Sequence, residues 1–92
     1  MLNEEYSAVA RKVFNLPDAV IERMEEDEFE RLRAELGRFY AFGYGPEMQR
    51  RFLSTPHPDL RLETPAEALT KPDTIEGVIM ALYKTLRSIR SY

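Results

Sequence analysis

Apolar residues recur at three- and four-residue intervals in every stretch long enough to form an element, and no stretch alternates as a half-buried strand would. A chain patterned in this way has to build its core from helices packed on helices. The first stripe is Tyr6, Val9, Ala10, Val13 and Phe14. Ahead of it stand Asn3, a good N-cap, and Glu4 and Glu5, anions in the first turn where the helix dipole favours them. Asn15 is expected to end this helix. Pro17 suits the first position of a short second helix, with Val20, Ile21 and Met24 as its buried face. The acidic run Glu25-Glu26-Asp27-Glu28 reads as a solvated connection and the charged first turn of a third helix. That helix is expected to carry Phe29, Leu32, Leu36, Phe39 and Tyr40 on one side. Arg31, Arg33, Glu35 and Arg38 fall largely on the other.

Punctuation sets the rest. Gly43-Tyr44-Gly45-Pro46 is a break, after which Met48, Phe52 and Leu53 mark a fourth helix. Pro56 and Pro58 force extended geometry on Thr55 and His57, the residues preceding them. Thr64-Pro65-Ala66-Glu67 combines an N-cap, a proline at the first helical position and a capping-box glutamate, which predicts a one-turn helix ending near Leu69. Asp73-Thr74-Ile75-Glu76 repeats that logic and predicts a last helix burying Ile75, Val78, Ile79, Leu82, Leu86 and Ile89. No repeat, low-complexity segment or linker divides the chain, so residues 1–92 are expected to form one domain. The fold class is all-α, a compact bundle of about five to six helices.

The bulk composition limits function. A chain of 92 residues buries a modest core, so association with a partner adds usefully to its stability. Hydrophobic content of 43% with 32% charged residues argues against wholesale disorder. The absence of cysteine removes disulfides, thiolate nucleophiles and thiolate-held metals, and fits a reducing cytoplasm. No apolar run approaches the length of a membrane span, and the N-terminus lacks the pattern of a signal peptide, so a cytoplasmic location is expected. Charge is uneven. Residues 1–45 hold ten acidic and six basic side chains, net −4, and residues 46–92 hold six and seven, net +1, which sum to −3. An acidic first half is a poor surface for nucleic acid, whose binding rests on cations at phosphates.

Catalytic chemistry finds little to work with. His57 is the single histidine and has no second His or Cys to join it in a metal site. The carboxylates of residues 25–30 lack any sign of an enclosing pocket that would tune a general acid. Gly43-Tyr44-Gly45 has neither the Lys-Ser/Thr pair of a phosphate loop nor a strand before it, and reads as an interhelical turn. Arg50-Arg51 and the spaced Lys84, Arg87 and Arg90 remain. The latter form a solvated face or a contact surface for an acidic partner. The ending Arg87-Ser88-Ile89-Arg90-Ser91-Tyr92 has the Arg and Tyr content that protein interfaces favour. No enzyme, cofactor or metal site is expected.

The second half resembles a family. Phe52-Leu53-Ser54-Thr55-Pro56-His57-Pro58-Asp59-Leu60, then Glu63-Thr64-Pro65-Ala66-Glu67-Ala68-Leu69, then Asp73 through Gly77-Val78 and Leu82, is similar to the toxin-binding domain of bacterial antitoxins of the Xre/MbcA/ParS type. The resemblance covers about residues 40–92. Departures are Phe52 where relatives commonly have Trp, Arg61-Leu62-Glu63 where a Gly often precedes the Thr-Pro turn, and the lack of a Gly near the end. Relatives carry a helix-turn-helix-like region before this domain. A helix that reads bases presents Arg, Lys, Asn, Gln or Ser, whereas in the matching place Val13–Met24 offers Asp18, Glu22 and Arg23, followed by the acidic run, so it reads as a degenerate helix-turn-helix used for packing or dimerisation. The resemblance implies a cognate protein toxin of the RES type, directed at NAD, whose active site the antitoxin occludes. It divides the chain into an acidic helical half, 1–45, and a toxin-binding-type half, 46–92. The expected partner-binding residues are His57, Arg61, Leu62, Lys84, Arg87, Arg90 and Tyr92, in a homodimer or hetero-oligomer. The alternatives are a DNA-binding autoregulator and a small homo-oligomeric module with no toxin.

Overall fold

The structure, a computed structural model, describes residues 1–90, the side chain of Arg90 excepted. Within them lie six α-helices and two short 3-10 turns, and no strand. The α-helices are α1 (Glu4–Lys12), α2 (Asp18–Arg23), α3 (Glu26–Leu36), α4 (Pro46–Ser54), α5 (Pro65–Ala68) and α6 (Ile75–Arg90). The 3-10 turns are Gly37–Phe42, directly after α3, and Pro58–Leu60, between α4 and α5. The all-helical bundle expected from periodicity is the fold observed.

Capping explains where the elements start. Asn3 Oδ1 accepts from the Tyr6 N–H at 2.8 Å, and its amide donates to Glu26 at 2.8 Å, which ties the head of α1 to the head of α3. The Thr64 hydroxyl accepts from the Glu67 N–H at 3.0 Å and opens α5 as the box predicts. Asn15 takes up a left-handed conformation (φ 53°) just past α1, which an asparagine adopts at modest cost. The expected cap at Asp73 does not form. Asp73 is itself left-handed (φ 60°), and this extra turn moves the boundary one residue on, so that the Thr74 carbonyl accepts the first helical bond, from Val78 N–H at 3.0 Å.

One core joins both halves of the chain. It runs from Leu2 through Phe14, Leu16, Val20, Met24, Phe29, Leu32, Leu36 and Phe39 to Phe52, Leu53, Leu69, Val78, Leu82 and Leu86. Phe29 sits at its aromatic centre, 5.1 Å from the Tyr6 ring and 6.1 Å from Phe14. α6 lies along α3 and gives it Val78, Ala81 and Leu82, all fully buried. Burial of a valine or leucine side chain contributes about 1.5–3 kcal/mol, so α6 is a principal source of stability. Gln49 is the buried polar residue among these, and its Nε2 donates to the Leu36 carbonyl at 3.0 Å, satisfying the C-terminal end of α3.

Tyr40 is a correction to the sequence reading. It was expected on the buried side of α3, yet it is 55% exposed. From Gly37 onward the chain winds three residues per turn instead of 3.6, so Leu36 and Phe39 stay in line and Tyr40 falls a third of a turn away.

Candidate functional site

The outward side of α6 carries Glu76, Met80, Tyr83, Lys84 and Arg87, which helical spacing gathers into one stripe. Two different walls flank it. Along one flank the 3-10 turn Gly37–Phe42 stands beside the helix. Arg38, Ala41 and Phe42 from the turn and Met80, Tyr83, Leu86 and Arg87 from α6 enclose an open groove of about 550 Å³. Its large apolar side chains are unusually exposed, Met80 at 52% and Phe42 at 40%. Exposed apolar surface gathered in one concave place is the form protein-binding sites take.

A small polar network holds that flank in shape. The Arg38 guanidinium lies 5.3 Å above the Tyr83 ring centre, a cation–π geometry, and its Nε donates to Glu35 at 2.8 Å. A hydrogen bond from Tyr83, and a second from Arg38, hold the Glu35 carboxyl below the usual carboxylate range. The same bond to Glu35 raises the Tyr83 phenol. At the N-terminal end of the stripe Arg31 of α3 clamps Glu76 through both guanidinium nitrogens, which lowers the Glu76 carboxyl. These bonds fix α6 on α3 and leave the groove floor apolar.

The other flank is formed by the segment between α4 and α5, and most of its polar groups are engaged. His57 Nδ1 accepts from the Asp59 N–H at 3.1 Å, so the ring caps the Pro58–Leu60 turn. Asp59 pairs with Lys84 at 2.6 Å, and the lysine holds its carboxyl down. Glu63 pairs with Lys71 at 2.5 Å. Arg61 (φ 56°) and Leu62 (φ 65°) are both left-handed. The bonds His57 N–H to Glu63 carbonyl and Leu62 N–H to His57 carbonyl, both 3.0 Å, close this segment on itself.

The expected partner-binding residues therefore divide. His57, Arg61, Leu62 and Lys84 belong to the polar flank, and Arg87 belongs to the groove. Of the polar flank, Leu62 stands out at 69% exposure. Tyr92 and the side chain of Arg90 lie outside the described residues. Phe42, Met80 and Tyr83 were not anticipated. Two signals pointed to them: Met80 interrupts the polar side of the last helix, and Phe39-Tyr40-Ala41-Phe42 is an apolar run that no single helix face can bury.

The segment in the helix-turn-helix position faces inward. Phe14, Leu16, Val20, Ile21 and Met24 are buried, and the outer side of α2 shows Asp18, Ala19 and Glu22. Arg23 is turned away from that side. Its Nε donates to the Leu69 carbonyl at 2.8 Å and its guanidinium pairs with Glu28 at 3.4 Å. Arg50 of α4 is likewise used within the fold, donating to the Val13 carbonyl at 3.0 Å. Among the described residues no helix is long and apolar enough to cross a membrane, and no cluster of His, Asp and Glu could hold a metal.

No family model matches the chain, and no curated protein or solved structure matches it at a significant level.

Proposed function

We propose that this chain is a protein-binding module of the antitoxin kind, which neutralises an NAD-directed toxin by covering its active site with the outward side of α6 and the adjoining C-terminal end. The observation that carries the reading is the apolar groove between the Gly37–Phe42 turn and α6, exposed at Phe42 and Met80 and bordered by Arg38 and Arg87. Aromatic and methionine side chains bordered by arginine are the composition in which binding energy concentrates at protein interfaces. The Pro56-His57-Pro58 and Thr64-Pro65 pattern supports the antitoxin class, and its residues build the wall on the far flank of the same helix. The outer side of α2 is acidic, which favours a protein partner over DNA.

The test is co-expression with the protein encoded beside it. Growth arrest by that protein alone, rescue by this chain, and loss of rescue in a folded Phe42→Asp variant are expected. Removal of residues 88–92 is expected to weaken rescue. Full rescue by Phe42→Asp, or saturable sequence-specific binding to the upstream DNA in a low-salt gel shift, would overturn the reading.

A further inference from the structure

α1 and α2 leave a second groove on the molecule. They run antiparallel. At one end the Leu2 N–H, just before α1, donates to the Ile21 carbonyl at 3.3 Å, and at the other Arg11 pairs with Asp18 at 3.0 Å. Between the helices lies an open groove of about 420 Å³. Leu2 and Ile21 are packed beneath it, and the methyl of Ala8 is exposed in it. It shares no residue with the groove of Phe42 and Met80. At the Leu2 end Glu4 stands on the α1 bank and Glu22 on the α2 bank, both exposed. Among the described residues neither makes an ion pair or a side-chain hydrogen bond. We propose that the α1–α2 groove docks an amphipathic helical segment of another protein, seated by an apolar side chain over Ala8 and held by a lysine or arginine between Glu4 and Glu22.

Shape and charge choose that occupant. An apolar floor between two helices is the form that receives the apolar face of a third. The open carboxylates attract a cation and repel nucleic acid and anionic lipid. Arg11 and Asp18 neutralise each other at the far end, so the carboxylates at the Leu2 end set the sign of the site. Lys12 lies beyond that pair, about 12 Å along α1 from Glu4 at 1.5 Å per residue. A segment that is cationic throughout would meet it, so the cation belongs at one end of the segment. A second copy does not suit the site, because in a two-fold contact groove faces groove and neither fills the other. Exposed charge pairs add little affinity and chiefly orient the partner, while the apolar side chain supplies the binding.

The probe is a fluorescein-labelled helical peptide of leucine, alanine and lysine, with leucines on one face and lysines at one end. Added to the ¹⁵N-labelled full chain at low salt, it should shift the amide signals of Ser7, Ala8, Ile21 and Glu22. Its anisotropy should report an affinity that falls as salt rises. Glu4→Gln with Glu22→Gln should weaken binding by about tenfold. Glu47→Gln with Asp73→Asn removes the same charge outside the groove and should leave binding unchanged. Ala8→Gln fills the groove without altering charge and should also weaken binding by about tenfold. Circular dichroism of these surface variants should match the parent. Phe42→Asp should bind the peptide fully, so this site stands or falls apart from the antitoxin reading. A peptide that does not bind overturns the inference. Equal loss in the two charge-removing variants, or signals shifted around Phe42 and Met80 instead, overturns it too. So do the same Ala8 and Ile21 shifts on concentrating the chain alone, which would place a second copy in the groove.

Discussion

The two flanks of α6 are built on one helix and differ in what their polar groups touch. On the flank of the Pro58–Leu60 turn, His57, Asp59, Glu63, Lys71 and Lys84 bond to one another or to the backbone. On the flank of the Gly37–Phe42 turn, the bonds among Glu35, Arg38 and Tyr83 lie at the edge, and the surface left open is apolar. Both flanks carry charge. The first uses its charges to hold a loop that has two left-handed residues and two prolines. The second uses them to orient a ring and an arginine beside an apolar groove. A charged residue near a candidate site is thus weak evidence for binding until its existing partners are known, even though an exposed ion pair is worth at most about 1 kcal/mol to the fold.

The sharpest break of this comparison is Leu82→Asp. Leu82 is fully buried in the side of α6 that supports both flanks. Placing an unpaired carboxylate there costs several kcal/mol, enough to unfold a domain of this size at room temperature. Circular dichroism should show lost helix, and a native spectrum would mean that α6 is seated differently. Next in size is the contrast between flanks in binding. Phe42→Asp should lower capture of the proposed partner by about tenfold or more with Tm unchanged, whereas His57→Ala should leave capture within about threefold. Calorimetric titration measures both, and the reverse order would move the site to the proline-rich flank. Thr64→Ala removes the cap of α5 and should cost about 1 kcal/mol in chemical denaturation.

Smaller effects come from pH. Glu35, Asp59 and Glu76 all have carboxyls held below their ordinary values, by Tyr83, Lys84 and Arg31 respectively. A depressed carboxylate contributes stability above its unfolded pKa and loses it as pH falls through its folded pKa. Stability should therefore be level from neutrality to the ordinary carboxylate range and decline below it, and Glu35→Gln should flatten part of that decline in thermal melts. The smallest change is a gain. Leu62→Gly releases a left-handed leucine and should stabilise by a few tenths of a kcal/mol in chemical denaturation, because the strain relieved exceeds the entropy that glycine adds to the unfolded chain.

Much of the fold was legible locally. The N-cap at Asn3, the box at Thr64, the break at Gly43–Pro46 and the buried stripe of α6 each depend on residues within one or two turns of one another. The misses share a cause. Tyr40 turned outward because α3 ends in a 3-10 turn, and Asp73 gave up its cap to a left-handed turn after Pro72. In both, the hydrogen-bonding register shifted by part of a turn, which composition does not record. The candidate site was legible only in fragments. Arg87 was singled out by charge, but Phe42 lies 45 positions away from it in sequence, by the difference of their numbers.

By itself the sequence determined that this chain would be helical, where most of its helices begin, and that no thiol chemistry is open to it. Periodicity, capping and composition are local properties, and a chain displays them without folding. The tertiary structure decided which flank of α6 uses its charges to close a loop and which keeps an apolar groove. It also set Phe42 beside Met80 and brought Glu35 to Tyr83. Those outcomes depend on how α3, its 3-10 extension and α6 lie against one another, and that follows from packing a shared core.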